Sequence, residues 1–543
     1  MGGQSPHVST GTDDDTPRPP DVRAPRWTER KADQVMAFDY IIVGAGSAGA
    51  VLANRLSADP GCRVLLLEAG PADRHPAVHV PAAFSTLFRS RYDWAYDTVP
   101  AAELAGRRIF WPRGRTLGGS SSLNAMMWVR GFAADYDGWA AVAGPDWSWN
   151  ALTPHFDRVE RMLHIETQRS PNPHTADFLT AARQAGFTVE PANRPEPDGF
   201  SQTMVTQRRG ARFSTTDAYL RPVRRRPNLT VRTGVQVRQV HFHGRHATSV
   251  ECSTPDGRIR TASARREIVL CGGAVNTPQL LLLSGIGDPD RLAGHGIPLV
   301  AANPEVGRNL QDHLVAGLIV RVAGGTLADA QRPAEVARYL LRRTGMLTSN
   351  VAEAYGFVRS TPDLALPDVE VVFAPVAYVA QGLEPPPAHG LTVGAILLQP
   401  RSTGTVRLAS TDPLAAPIID PAYLSDPADR VTMLRGLAIC ERILRGPALR
   451  HQGFLVPDDA DDLDEATRDG IALEGYAHTL YHPVGTARMG SDDDSVVDPQ
   501  LRVRGVTGLR VADASVMPRI IRGHTHAPAV VIGEKAAELI RRS

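Results

Sequence analysis

Lysine is nearly absent from this sequence of 543 residues. Only Lys31 and Lys535 occur, so almost all of the 59 basic residues are arginine. Schiff-base and pyridoxal enzymes need a lysine inside the site, and so do P-loop proteins and protein kinases. Lys31 lies in a polar segment, and Lys535 lies in a predicted helix without a matching motif. The sequence therefore excludes these classes.

Cysteine and long apolar runs are also scarce. The four cysteines are scattered and form no C-x-x-C pair, which argues against a disulfide framework and a thiolate zinc site. No apolar run reaches the roughly 18 residues of a membrane-spanning helix, and no signal peptide is evident. The net charge of +1 gives no reason to expect a nucleic-acid partner. We expect a cytoplasmic protein that is at most peripheral to a membrane.

The chain opens with a segment unlike the rest. Residues 1–36 carry an acidic run and several prolines without a periodic apolar pattern, which predicts a disordered leader. Apolar runs at 38–43 and 63–68 then flank a stretch with helical spacing at 48–56. A strand, a helix and a second strand within about 30 residues, with both strands apolar throughout, predict a parallel sheet covered on both faces.

The middle of the chain is less regular. Residues 229–232 and 235–240 alternate like antiparallel strands joined by a turn at Thr233-Gly234. Further apolar runs predict strands at 267–270, 370–373 and 391–398, and a helix at 278–283 with Pro278 near its start. A last helix is predicted from Pro528 to Arg542.

A dinucleotide-binding motif follows the first strand. Gly44-Ala45-Gly46-Ser47-Ala48-Gly49 fits G-x-G-x-x-G and opens a helix, whose N-terminus offers free N–H groups to phosphates. The first glycine permits the turn, the second lets a pyrophosphate approach, and the third lets the helix pack on the strand. Glu68 ends the next strand at about the spacing of a ribose-binding carboxylate, which disfavours NADP. The motif predicts a dinucleotide without separating FAD from NAD.

Four further segments make the prediction specific. They are the glycine-rich segments 113–124 and 273–287, and the segments 481–490 and 509–528. Together with the motif they resemble the glucose–methanol–choline (GMC) family of FAD-dependent oxidoreductases, in particular its choline dehydrogenase branch. The resemblance implies an α/β fold: an FAD-binding Rossmann-like domain with a discontinuous α+β substrate-binding domain that contains an antiparallel sheet. It assigns residues 37–155, 228–311 and 472–543 to the FAD-binding domain, and residues 156–227 and 312–471 to the other.

The resemblance also implies the site. His482 matches the catalytic histidine and His524 the second active-site residue, for oxidation of a primary alcohol to an aldehyde by hydride transfer to flavin N5. Leu123 stands where some members attach FAD covalently through histidine, so noncovalent FAD is expected. The cofactor-binding residues implied by the motifs are Gly44, Gly46, Ser47, Ala48, Gly49, Glu68, Arg115, Gly118, Gly119, Asn124, Ala125, Val237, Asp513, Ala514 and His526.

Histidine suits this chemistry because its ordinary pKa, about 6.5, lets it take the hydroxyl proton near neutral pH. The N-terminus of the last helix is expected to stabilise negative charge on the reduced flavin. A metal site built from His478, His482, His524 and His526 is not expected, because no carboxylate accompanies them in a zinc-protease pattern.

Several functions remain open alongside alcohol oxidation. They are a redox-silent lyase of the hydroxynitrile-lyase type, choline dehydrogenase proper, and a flavoprotein without catalytic activity. His524-Thr525-His526 replaces the Asn-Thr-Asn of choline-oxidising relatives, which disfavours choline. The expected partners are a small alcohol and an electron acceptor, either oxygen, a quinone or another carrier.

Overall fold

The computed structural model describes residues 37–457 and 460–543, so the predicted leader lies outside the described residues. Its strands are β1 Ala37–Val43, β2 Val64–Glu68, β3 Tyr96–Asp97, β4 Phe110–Trp111, β5 Ile165–Thr167, β6 Phe200–Gln202, β7 Met204–Arg208, β8 Ala211–Arg212, β9 Leu229–Thr233, β10 Gln236–His243, β11 His246–Ser253, β12 Ile259–Leu270, β13 Ile286–Gly287, β14 Ala301–Ala302, β15 Leu314–Arg321, β16 Ala354–Val358, β17 Val369–Ala374, β18 Gly390–Leu397, β19 Thr405–Arg407, β20 Ile418–Asp420, β21 Phe454–Val456, β22 His478–Thr479 and β23 Leu509–Val511. Its α-helices are α1 Ser47–Leu56, α2 Pro76–His79, α3 Ala133–Ala143, α4 Trp149–Leu163, α5 Pro173–Gln184, α6 Gly273–Leu283, α7 Pro289–Gly294, α8 Pro333–Arg342, α9 Pro427–Leu444, α10 Glu465–Ile471 and α11 His526–Arg542. None of these helices is both long and apolar enough to span a membrane.

The first large sheet has the strand order β10-β11-β12-β1-β2-β9, with β23 beside β12. Strand β1 pairs in parallel with β12 and β2, and β2 pairs in parallel with β9. Helices α1 and α11 pack against each other so closely that a Cβ at Gly533 would lie 2.9 Å from the Cα of Ala48. The predicted parallel strand–helix–strand unit is confirmed, and apolar strands are what such a doubly covered sheet requires.

Two local predictions in this region are wrong. Strands β9 and β10 do not pair with each other, because the turn between them crosses the end of β2: Gly234 N donates to Gly70 O, and Val235 N donates to Glu68 O. Helix α6 begins at Gly273, so Pro278 lies inside it rather than near its start. The earlier start has a physical cause, since the Asp513 carboxylate accepts from Gly273 N at 2.8 Å.

The second large sheet is antiparallel, with the order β21-β15-β18-β17-β16-β6 and β22 beside β15. Alternate residues of β15, such as Leu314, Ala316 and Leu318, join the main hydrophobic core. The opposite face borders a cavity. The predicted antiparallel sheet is therefore present. Strand β22 of this sheet belongs to segment 472–543, which was assigned to the FAD-binding domain. The domain boundaries given above stay a prediction.

Candidate active site

A cavity of about 820 Å³ lies between the two large sheets. The ends of β1 and β2 and the starts of α1 and α6 border one part, and the inner face of the antiparallel sheet borders another. The predicted site residues that line it are Gly44, Gly46, Ser47, Ala48, Glu68, Gly119, Asn124, Ala125, Val237, His482, Asp513, Ala514, His524 and His526. Residues predicted from segments as far apart as Gly44 and His526 therefore meet around one space. Three predicted residues, Gly49, Arg115 and Gly118, do not line it.

The first and third glycines of the dinucleotide motif have the conformation and the close packing that the pattern predicts. Gly44 has a φ of +100°, and a Cβ there would lie 2.4 Å from the carbonyl oxygen of Cys271. A Cβ at Gly49 would lie 2.0 Å from Gly44 O, so Gly49 serves helix–strand packing behind the cavity. Gly46 precedes α1, which has no side-chain cap. The first N–H groups of α1 are thus open toward the cavity.

The second glycine segment lies directly on the first. Gly118 has a φ of +85°, and its N–H donates to Ala45 O at 2.8 Å. A Cβ at Gly119 would lie 2.7 Å from the Cα of Gly46. Gly118 therefore holds the loop in place, whereas Gly46 and Gly119 form a cradle of bare backbone at the cavity wall. The Arg115 guanidinium lies over the ring of Trp94, 4.9 Å from its centroid.

Two buried carboxylates organise the cofactor end of the cavity. Glu68 accepts from Ala45 N at 2.9 Å and Gly70 N at 2.8 Å, and burial raises its pKa to about 7. Asp513 accepts from Gly273 N and Thr277 Oγ1 through one oxygen, while its other oxygen accepts from the backbone and hydroxyl of Ser515. Asp513 thereby fixes the end of β23 against the start of α6.

A dinucleotide fits these residues. The cradle of Gly46 and Gly119 leaves room that any side chain would fill, and the N-terminus of α1 opens onto it. Helix α11 also begins at the cavity, at His526, two residues earlier than predicted, and no side chain caps it. His526 Nδ1 lies 3.1 Å from Ser47 Oγ and so joins the two helix starts. Two positive helix ends facing one cavity suit an anionic, phosphorylated cofactor.

His482 and His524 meet deep in the cavity, beyond these helix starts. Their ring centroids are 4.8 Å apart with the planes at 77°, and the residues are 9% and 6% exposed. His482 follows β22, after Tyr481 with a φ of +68°. Its backbone N–H donates to Asp312 Oδ1 at 2.8 Å. Asp312 is buried, also accepts from the hydroxyls of Thr479 and Tyr423, and has its pKa raised to about 6 by burial.

A third histidine, which the sequence reasoning missed, sets the tautomer of His482. His313 Nε2 lies 3.1 Å from the carbonyl oxygen of Leu398, and His313 Nδ1 lies 3.0 Å from His482 Nδ1. A carbonyl only accepts, so a neutral His313 carries its proton on Nε2 and presents a lone pair at Nδ1. His482 Nδ1–H then donates to that lone pair. The Nε2 atom of His482 is left without a proton.

Burial keeps these rings neutral. It lowers the pKa of His313 to about 3, with a smaller contribution from His524. Burial also lowers the pKa of His482 well below 6.5, helped by His524 and His313. A neutral His482 with a free Nε2 is a proton acceptor in the form that a general base requires.

His524 has its own buried partner, which was also missed. Its Nε2 lies 2.8 Å from Glu370 Oε1, and Glu370 on β17 is fully buried. Both missed partners carry a sequence signal. Glu370 is the one charged residue of the apolar stretch that forms β17, and His313 stands just before the apolar run of β15. A charge in a buried strand needs a partner.

The histidines do not form a metal site with carboxylates. His478 Nδ1 donates to Thr479 O at 2.8 Å. Across residues 37–457 and 460–543, no group of three His, Cys, Asp or Glu side chains is placed to hold a metal ion.

Comparison with known proteins agrees with this architecture. GMC oxidoreductase family models match residues 38–315 and 400–533. An uncharacterised GMC-type oxidoreductase of Mycobacterium tuberculosis is 56% identical over 93% of this chain and 99% of its own length. The alcohol dehydrogenase (acceptor) of Pseudomonas putida is 41% identical, over 93% and 96%. Mitochondrial choline dehydrogenase of Mus musculus is 38% identical, over 93% and 89%.

Solved structures give the same result. Formate oxidase of Aspergillus oryzae superposes with a TM-score of 0.87 at 29% identity, over 94% of this chain and 99% of its own. The predicted fold class and the predicted FAD cofactor are thereby confirmed. The chain belongs to the GMC family of oxidoreductases and is an FAD-dependent enzyme.

Proposed function

We propose that this enzyme oxidises a primary alcohol to an aldehyde, with His482 as the base. The observation that carries the proposal is the 3.0 Å contact between the Nδ1 atoms of His482 and His313. From this contact we infer that His482 Nε2 carries no proton. The name of the Pseudomonas putida relative, an alcohol dehydrogenase, supports the reaction class. Oxygen, a quinone or another carrier completes the cycle as electron acceptor.

The side chains divide the work of the reaction. His482 Nε2 takes the hydroxyl proton of the alcohol, which strengthens the hydride character of the C–H bond on the same carbon. FAD, when bound, supplies the hydride acceptor. His524, oriented by Glu370 through its Nε2, lies beside His482, where we assign it to positioning the alcohol. The burial of both imidazoles keeps water away from the proton being moved.

The cofactor would be held by the elements that border the other part of the cavity. We assign Gly46, Gly119 and the start of α1 to the pyrophosphate, and Glu68 to the ribose hydroxyls. Asp513 and Ala514 are assigned to the ribityl side. The remaining assignments stay as implied by the family motifs: Ser47, Ala48, Arg115, Asn124, Ala125, Val237 and His526. The domain boundaries 37–155, 228–311 and 472–543 follow the same assignment.

Anaerobic stopped-flow spectroscopy of the purified holoenzyme tests the proposal. Primary alcohols are expected to bleach the flavin, and oxygen or a quinone to restore its colour. His482→Ala should slow bleaching on the order of 10²- to 10⁴-fold, whereas His243→Ala, at an exposed position on β10, should not. Failure of every alcohol to bleach the flavin would contradict the proposal. Release of an aldehyde from a cyanohydrin without bleaching would select the lyase instead, and bleaching by choline alone would select choline dehydrogenase.

A further inference from the structure

The antiparallel sheet forms the floor of the cavity in ordered rows. Strands β15, β18 and β17 lie side by side, and their pairing places residues of the same face in register. The three rows are Val315–Ile396–Glu370, Gly317–Gly394–Val372 and Ile319–Thr392–Ala374. Neighbouring rows are roughly 7 Å apart, because residues i and i+2 of a strand share a face.

The first row anchors the histidines. Glu370 contacts His524, and His313, two residues before Val315, contacts His482. The second row, with Gly317 opposite Gly394, is the neighbour of the row that anchors the histidines, and so lies roughly 7 Å along the floor from it. A carbon chain that runs from the histidines along the floor would cross this pair of glycines.

The backbone does not require glycine at either position. Neither Gly317 nor Gly394 has a positive φ. A Cβ at Gly317 would meet Val393 O at 3.4 Å and Gly394 Cα at 3.5 Å, which are ordinary contacts. Glycine weakens the interior of a strand and often marks close approach of a ligand. A Cβ at Gly394 would lie 3.2 Å from Val315 Cγ2, which is a tighter contact. The pair thus leaves a slot without side chains, and at Gly317 alanine would also fit the fold.

The side chains next to the slot on the cavity floor are mainly apolar. Ile319, Ala374 and Leu455 line the cavity beyond it. The hydroxyl of Thr392 is engaged, since it donates to Val376 O and accepts from Tyr378 N. Among the described residues that line the cavity, the carboxylates are Glu68, Asp513 and Glu384. The first two are bound at the cofactor end, and the third is exposed.

We propose that Gly317 and Gly394 determine the substrate class, by forming a slot that takes the carbon chain of an uncharged, extended primary alcohol. The inference rests on the proposed function, because the reacting carbon is placed at His482 and His524. Glu370, the carboxylate of the first row, is fully buried against His524 and does not line the cavity. No carboxylate on the floor is therefore open to a cationic alcohol, so the slot selects against choline.

Two variants and one control test the slot. Gly317→Val fills it, and Gly317→Ala fills part of it with a Cβ that makes only ordinary contacts. Gly470→Ala, at a half-buried position of α10 with no atom within 4 Å of its Cβ, is the matched control. Binding of aldehydes from acetaldehyde to octanal to the oxidised holoenzyme is measured by calorimetry. Anaerobic flavin reduction is measured with ethanol to 1-octanol and with choline.

Wild type and Gly470→Ala should gain up to roughly fourfold in affinity for each added methylene group. In Gly317→Val the ratio of 1-octanol to ethanol efficiency should fall at least tenfold, and in Gly317→Ala about threefold. An unchanged ratio in both variants would overturn the slot proposal. More efficient flavin reduction by choline than by 1-hexanol would also overturn it. If Gly317→Val fails to hold FAD, Gly317→Ala decides.

The aldehyde-binding measurement tests this inference separately from the proposed function. Suppose that no alcohol reduces the flavin, but that aldehyde affinity rises with chain length and Gly317→Val removes this rise. This result would support the slot and refute the oxidation. Flavin reduction with no chain-length dependence in wild type would support the oxidation and refute the slot.

Discussion

His313→Leu is expected to slow flavin reduction although His313 touches neither cofactor nor substrate in the proposed mechanism. In wild type, the tautomer of His482 with a proton on Nδ1 makes the 3.0 Å bond to His313. The other tautomer sets two lone pairs against each other. As His482 takes the alcohol proton on Nε2 it becomes an imidazolium, and in the leucine variant its buried Nδ1–H has no acceptor, which costs about 1–3 kcal/mol. At about 1.4 kcal/mol for each tenfold change in rate, the loss is roughly 5- to 150-fold.

The conservative variant His313→Asn separates tautomer control from packing. Its Oδ1 can stand near the position of Nδ1 and accept from His482, so its rate should stay within about threefold of wild type by the same hydrogen-bond argument. The limiting rate of anaerobic flavin reduction, with FAD content measured beside it, is the assay. Equal rates for His313→Leu and wild type would refute the reasoning. So would equal damage in His313→Asn and His313→Leu with FAD fully bound.

Three further perturbations test other parts of the site. Burial lowers the pKa of His482 well below 6.5. The base form of His482 is therefore lost only as the pH falls through that lowered value, and kcat/KM should not change with pH around 6.5. A decrease of kcat/KM that begins at or above pH 6.5 would contradict this. Gly46→Ala should fold but lose FAD, because the nearest atom to its Cβ is 3.9 Å away. Gly49→Ala should lower the melting temperature of the apoprotein, because its Cβ would lie 2.0 Å from a carbonyl oxygen. Thermal unfolding and flavin absorbance at 450 nm distinguish the two variants. Glu370→Gln weakens the charge-assisted bond to His524 and should reduce kcat/KM about tenfold; an unchanged value would show that His524 needs no orienting carboxylate.

The sequence predicts the first sheet well because its signals are local. An apolar run, three glycines at fixed spacing and a second apolar run specify a parallel unit within 30 residues, and β1, α1 and β2 match it. The same local reasoning misassigns β9 and β10. Their alternation is real, yet the turn at Gly234 is tied to Gly70 and Glu68, more than 160 residues earlier. Pairing across such distances leaves no trace in the pattern of a single strand.

The site divides in the same way. His482 and His524 lie in recognisable motifs, and the structure brings them within 4.8 Å of each other. Their partners His313 and Glu370 each stand in or beside an apolar strand, where a polar residue indicates a buried partner but does not identify it. What makes them important is the register of β15 and β17 beneath the histidines, and register depends on tertiary packing that the sequence does not display.

The chemistry and the selectivity of this cavity are coupled through that register. Strand β15 follows directly on His313 and continues to Gly317, and β17 carries Glu370 two residues before Val372. The strands that orient the two imidazoles therefore also shape the space for the rest of the substrate. A one-residue slip of β15 would turn Val315 and Gly317 into the core and bring Ala316 and Leu318 to the cavity floor. Such a slip would also move His313 away from His482, so variants that disturb the strand should lose rate and chain-length selectivity together, whereas Gly317→Ala should change selectivity alone.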